Sequence, residues 1–103
     1  MFKKENPKTS IIMNCHNGEK FLHESINSVL KQSYDNWELI FYDNCSTDKS
    51  LSIIKSFNDQ RIKVYKSKSF LNLYHARNEA IKKINGKYVC FLDTDDYWTK
   101  DKV

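Results

Sequence analysis

Four short apolar runs, separated by stretches of helical spacing, organise this 103-residue chain. Thr9 to Cys15 (TSIIMNC) is nearly continuous in apolar character, as strands covered on both faces are. Asn17 and Gly18 mark a turn, and between Glu19 and Ser33 the residues Phe21, Leu22, Ser25, Ile26, Val29 and Leu30 fall on one side at helical spacing, predicting an amphipathic helix. Trp37 to Tyr42 (WELIFY) is aromatic and β-favoured, so it reads as a second strand. In the polar stretch from Asp43 to Ser50, Ser46 or Thr47 can cap a helix whose apolar positions are Leu51, Ile54 and Phe57. Arg61 to Lys66 (RIKVYK) alternates apolar with charged residues, as a strand nearer a sheet edge does. A helix is predicted from about Leu73 to Ile84, with Asn85 and Gly86 as its stop, the glycine being free to take the left-handed conformation. Lys87 to Asp96 (KYVCFLDTDD) then reads as a buried apolar strand running straight into Asp93, Asp95 and Asp96.

Strand and helix alternate from end to end, which predicts a Rossmann-like, mostly parallel sheet of about four strands with helices on both faces. In such sheets ligands sit beyond the carboxyl ends of the strands. The residues expected at those ends are Asn14, His16 and Asn17 after the first strand, Asp43, Asn44 and Asp48 after the second, and Asp93, Asp95 and Asp96 after the fourth. Three polar clusters distant in sequence are thereby expected on one rim.

Composition narrows the setting. A content of 40% hydrophobic and 14% aromatic residues supports a core in a single domain, here residues 9–103 behind a tail of residues 1–8. Lys and Arg outnumber Asp and Glu by 17 to 13, but the lysines are scattered, which describes a solvated surface rather than a nucleic-acid stripe and leaves room for weak attraction to anionic lipid. Cys15, Cys45 and Cys90 are odd in number and lack metal-ligand spacing, so small buried thiols in a cytosolic chain are expected. No signal-peptide pattern and no membrane-spanning run is present, and a cytoplasmic location, at most at the inner face of the membrane, is expected.

Three carboxylates at the end of a buried strand are costly unless a cation or donor answers them. Their oxygens suit a hard divalent cation, Mg²⁺ or Mn²⁺, which takes one or two carboxylates and leaves its other positions to phosphate and water. Arg77, early in the third helix, can hold phosphate oxygens bidentately or pair with a rim aspartate, and both readings stay open. His16 can stack on or hydrogen-bond a base, or be structural. His23 and His75 read as helix-surface residues, Asp48 as a helix N-terminal carboxylate, and Trp98 as packing. With two glycines in the chain there is no dinucleotide or P-loop pattern, so phosphates would need the metal.

Together, SIIMNCHNGEKFLHESINSVLKQSYDNWELI, YDNCSTDKS and HARNEAIKKINGKYVCFLDTDDYW resemble the N-terminal part of a family 2 glycosyltransferase of the GT-A fold, over nearly the whole chain. The resemblance implies a nucleotide-diphospho-sugar donor, most often a UDP-sugar, bound with Mg²⁺ or Mn²⁺. It places Asn14, His16, Asp43 and Asn44 at the nucleoside, Asn17 in the same nucleotide-sugar site, Arg77 near the diphosphate, Asp93 and Asp95 at the donor, and Asp95 and Asp96 on the metal. It also implies a saccharide or lipid-linked acceptor, inverting transfer, and an acidic general base in an acceptor half that would follow the DxD-type strand. The sequence ends at WTKDKV, where the next helix should begin, so the general base is expected beyond Val103 and no residue here is assigned that role.

The leading expectation is therefore the donor-binding half of an inverting glycosyltransferase of hexosyltransferase type. One rival is a fragment that binds nucleotide and metal but transfers nothing. A signalling domain phosphorylated on Asp43 is the other. An acidic strand without its further neighbour would present an apolar edge, from which a homo-oligomer is expected.

Overall fold

The computed structural model describes residues 8–94. Its elements are β1 (Thr9–Cys15), α1 (Glu19–Leu30), β2 (Trp37–Asp43), α2 (Ser50–Ser56), β3 (Ile62–Lys66), α3 (Leu73–Ile81) and β4 (Tyr88–Phe91). All strand pairs are parallel, in the order β3-β2-β1-β4. The chain first steps outward from β1 to β3, and α3 then carries it back across the sheet to the far side of β1. That reversal creates a switch point between β1 and β4, where helices on opposite faces leave a crevice at the strands' carboxyl ends.

The period-two alternation of β1 and β2 sorts their side chains between two cores. Ile11, Met13, Cys15, Leu39 and Phe41 pack with Leu22, Ile26 and Val29 of α1 and Ile54 of α2. On the other face Ile12, Ile40 and Tyr42 pack with Ala80 of α3. Ala76 and Ala80 are both fully buried, and their small side chains let α3 lie close to the sheet. Removing each large aliphatic side chain from water contributes about 1.5–3 kcal/mol, which is why the central pair of strands tolerates almost no exposure.

Four expectations need correction. α1 and α3 end earlier than their periodicity suggests, at Leu30 and Ile81, with Lys31 and Lys82 as C-caps. No glycine has a positive φ, so Gly86 is not a left-handed stop. It is needed for space, because a Cβ there would lie 2.5 Å from Ser10 Oγ and 2.8 Å from the Lys8 carbonyl. β4 is an edge strand rather than a buried one, with Tyr88, Val89 and Phe91 exposed. Finally, the three cysteines are free, but only Cys15 is buried.

One side chain of β2 breaks the apolar pattern. Glu38 is 1% exposed, and its carboxylate accepts from Ser10 Oγ at 2.6 Å, the Asn85 amide at 2.5 Å and Lys63 Nζ at 2.8 Å. Ser10 Oγ in turn accepts from the Gly86 amide at 2.8 Å. This network ties β1, β2 and β3 to the turn that launches β4. Burial drives the Glu38 pKa upward, but the bonds from Lys63, Ser10 and Asn85 outweigh it and hold the carboxyl below its ordinary range.

Candidate functional site

The turns after β1 and β2 are stitched into one surface. Asn17 has φ 53°, a left-handed conformation that asparagine tolerates better than most residues. Its Oδ1 accepts from the Thr47 amide at 2.7 Å, the Thr47 hydroxyl at 3.3 Å and the Asp48 amide at 3.3 Å, while its own amide donates to Ser46 Oγ at 2.9 Å. The Gly18 amide donates to Ser50 Oγ at 3.0 Å. Asp48 serves two helices at once, accepting from the Glu19 amide at the start of α1 (3.1 Å) and the Ser50 amide at the start of α2 (2.9 Å). Its helix-terminal reading is therefore right, whereas Ser46 and Thr47, both spent on Asn17, do not cap α2. Desolvation raises the Asp48 pKa, yet the bonds from Ser50 and from the Glu19 amide prevail and lower it.

The exit of β4 closes against the same surface. A Cβ on Gly18 would stand 2.9 Å from Thr94 Oγ1 and 3.1 Å from Cys15 Sγ, so only glycine fits without movement. Ser25 Oγ on α1 donates to the Thr94 carbonyl at 2.7 Å. Cys15 beneath has its thiol pKa pushed up, chiefly by burial, which leaves it a packing group rather than a nucleophile.

Within this frame a cleft of about 150 Å³ opens at the strand ends, lined by Asn14, Cys15, His16, Asn44, Phe70, Leu71 and Leu73. Two buried oxygens at these strand ends, Asn14 Oδ1 and Asp43 Oδ1, have no hydrogen-bond partner among the described residues. Asp43 is 2% exposed, and its other oxygen accepts from the Ser46 amide at 3.2 Å. A buried carboxylate oxygen left without a donor is expensive, and at a ligand site a ligand is the natural donor.

His16 Nδ1 lies 2.7 Å from the Asn44 carbonyl, which can only accept, so Nδ1 donates to it, while Nε2 stands 3.5 Å from the Asn17 side-chain amide. The ring meets Phe70 edge-on, with centroids 4.7 Å apart. Arg77 and Asp93 stand together on the rim as an ion pair at 3.7 Å, and the guanidinium lies over the Phe91 ring at 5.0 Å. The structure thus shows the aspartate-paired alternative for Arg77, in an exposed geometry that a diphosphate could exchange into at small cost.

Of the residues singled out from sequence, Asn14, His16 and Asn44 line the cleft, Asp43 is buried at the end of β2, and Arg77 and Asp93 pair on the rim. Asn17 is spent on holding the second loop. Asp95 and Asp96, the expected metal ligands, lie outside the described residues, as does Trp98. The general base, expected beyond Val103, also lies outside them, since the description ends at Thr94 and Val103 itself is not among the described residues. No described residue is assigned the catalytic role. Phe70 was missed. An aromatic side chain left exposed in a polar connection is the signal that could have found it.

The family model for glycosyl transferase family 2 matches residues 10–103. The chain belongs to this family. It is 42% identical over 94 residues to the Escherichia coli UDP-Glc:alpha-D-GlcNAc-diphosphoundecaprenol beta-1,3-glucosyltransferase WfgD, a match spanning 91% of this chain and 37% of that protein. The structure superimposes on Staphylococcus aureus TarS residues 1–349 in complex with UDP-GlcNAc with a TM-score of 0.83 at 34% identity, covering 90% of this chain and 28% of that one. Another crystal structure of TarS 1–349 gives a TM-score of 0.86 at 35% identity. A mannosyltransferase from Pyrobaculum calidifontis, at 22% identity and a TM-score of 0.84, shares the fold. The four-stranded parallel sheet is thus the GT-A-like Rossmann fold, and the chain spans about two fifths or less of the relatives it matches.

Proposed function

We propose that the rim binds a nucleotide-diphospho-sugar donor, a UDP-sugar, for inverting transfer to a saccharide or lipid-linked acceptor. The observation that carries this is the pair of buried, unpartnered oxygens on Asn14 and Asp43 at strand ends where the family fold leaves a crevice. TarS, a family relative of this fold, has been crystallised with UDP-GlcNAc, and WfgD is a glucosyltransferase named for a UDP-Glc donor and a diphosphoundecaprenol-linked acceptor. In the same reading Asn14, His16 and Asp43 face the nucleoside and Arg77 leaves Asp93 for the diphosphate. β4 delivers Asp93 to the rim with its side chain 68% exposed, and hard oxygen donors follow it in Asp95 and Asp96. That donor set fits Mg²⁺ or Mn²⁺, with Asp95 and Asp96 as the residues that would hold it. Bound there, the cation would neutralise charge developing on the departing diphosphate. The base that deprotonates the acceptor belongs, in this reading, to the acceptor half beyond Val103.

Calorimetric titration of UDP into the chain, with and without Mn²⁺, tests the reading. Metal-dependent binding that Asp95→Asn abolishes is expected, and UDP binding indifferent to both would overturn it. Transfer is read separately, by release of UDP from a UDP-sugar in the presence of a saccharide or lipid-linked acceptor.

A further inference from the structure

Asn44 stands at the nucleoside side of the cleft, yet its polar groups are already committed. Its amide donates to the Cys15 carbonyl at 2.7 Å, and its carbonyl receives His16 Nδ1 at 2.7 Å. Its side chain donates through Nδ2 to the Leu71 carbonyl at 2.6 Å and accepts through Oδ1 from the Leu71 amide at 2.9 Å. One residue therefore clamps the ends of β1 and β2 to the connection that follows β3. The segment it holds carries Phe70, whose ring is 62% exposed and leans on His16 at the cleft wall. Burying that ring in the core would have stabilised the fold; the bidentate hold on the neighbouring residue keeps it at the cleft instead.

We propose that Phe70 is a nucleobase-contacting residue, forming an aromatic wall with His16 against which the base of the donor lies, and that Asn44 is the positioning residue that sets this wall rather than a ligand contact. The inference rests on the donor-site reading above. An aromatic face accepts a base without hydrogen-bond readout, and the ring already leans on His16, a contact that reduces the entropy spent in binding. The cleft is mixed in the way a nucleoside needs, with Phe70, Leu71 and Leu73 as its apolar part and Asn14 and His16 as its polar part.

The test compares UDP with inorganic pyrophosphate, which has the phosphates but no base, by calorimetry on the 103-residue chain with Mn²⁺ present. Phe70→Ala is expected to weaken UDP binding about tenfold, the scale of one lost base–aromatic stack, and to leave pyrophosphate affinity unchanged. Phe70→Trp should restore UDP binding. Asn44→Ala is expected to reproduce the base-specific loss, with an unchanged pyrophosphate affinity showing that the variant is folded. If wild type binds UDP and Phe70→Ala binds it equally well, the inference fails while the donor site stands. If wild type binds neither probe, both fail together. If Asn44→Ala lowers UDP and pyrophosphate affinity alike, its assignment as the wall's positioning residue is overturned.

Discussion

Replacing Glu38 tests the network that sets β4 against the rest of the sheet. Glu38→Ala strips the acceptor from Ser10 Oγ and the Asn85 amide, while Lys63, at 39% side-chain exposure, can turn to water and loses little. A hydrogen bond to a charged group is worth about 1.5–3 kcal/mol, so losing the bonds from Ser10 and the Asn85 amide sets a loss of roughly 3–6 kcal/mol, overlapping the roughly 3–5 kcal/mol expected when a buried charged network is broken. A domain of this size has about 5–15 kcal/mol in all, so the variant should sit near the edge of folding. Glu38→Gln is the gentler probe, since it keeps the volume but turns one acceptor into a donor facing the existing donors. Urea unfolding followed by tryptophan fluorescence should show its midpoint lowered with an unchanged slope. The pH dependence has a definite sign: the folded carboxyl titrates below its ordinary value, so its contribution is full above the unfolded pKa of about 4.3 and is lost as pH falls through the folded value. Glu38→Gln should flatten that acid limb. A Glu38→Gln midpoint indistinguishable from wild type, with the acid limb intact, would refute the reasoning.

Other expectations follow from the same geometry. Asp48→Ala removes a cap from α1 and α2 together and should cost roughly 2 kcal/mol, about 1 for each helix end, in chemical unfolding. Gly86→Ala forces a Cβ onto Ser10 Oγ and the Lys8 carbonyl and should destabilise by about 1–3 kcal/mol, read as a lower thermal midpoint. Arg77→Ala breaks an exposed ion pair and an exposed contact with the Phe91 ring, so stability should change by about 1 kcal/mol or less, while UDP affinity in calorimetry falls about tenfold through the lost phosphate contact.

The order of the seven elements was legible because each carries its own period, from the apolar run of β1 to the alternation of β3. The convergence of Asn14, His16, Asp43, Asn44 and Asp93 at the strand ends followed from that order and the rule for parallel sheets. What the pattern concealed depends on partners far along the chain. Glu38 reads as one polar letter in WELIFY, and nothing local announces that Lys63 and Asn85 will meet it. Gly86 sits where a helix stop belongs, but its φ is ordinary and its smallness serves Ser10, on a strand 76 residues earlier. Asn44 reads as one polar residue at a strand end, and only the fold reveals that its side-chain amide meets the Leu71 backbone. The exposure of β4 likewise follows from its place at the sheet edge, which four apolar letters do not specify.

The central claim is that a nucleotide binds at the carboxyl rim, and amide chemical-shift mapping on ¹⁵N-labelled protein addresses it residue by residue. Added UDP with Mg²⁺ should shift the amides of Asn14 to Gly18, Asp43 to Asp48, Phe70, Leu71 and Asp93, and leave Glu38, Asn85 and Gly86 at the opposite end of the sheet unmoved. Shifts confined to that opposite end, or none at saturating UDP, would contradict it.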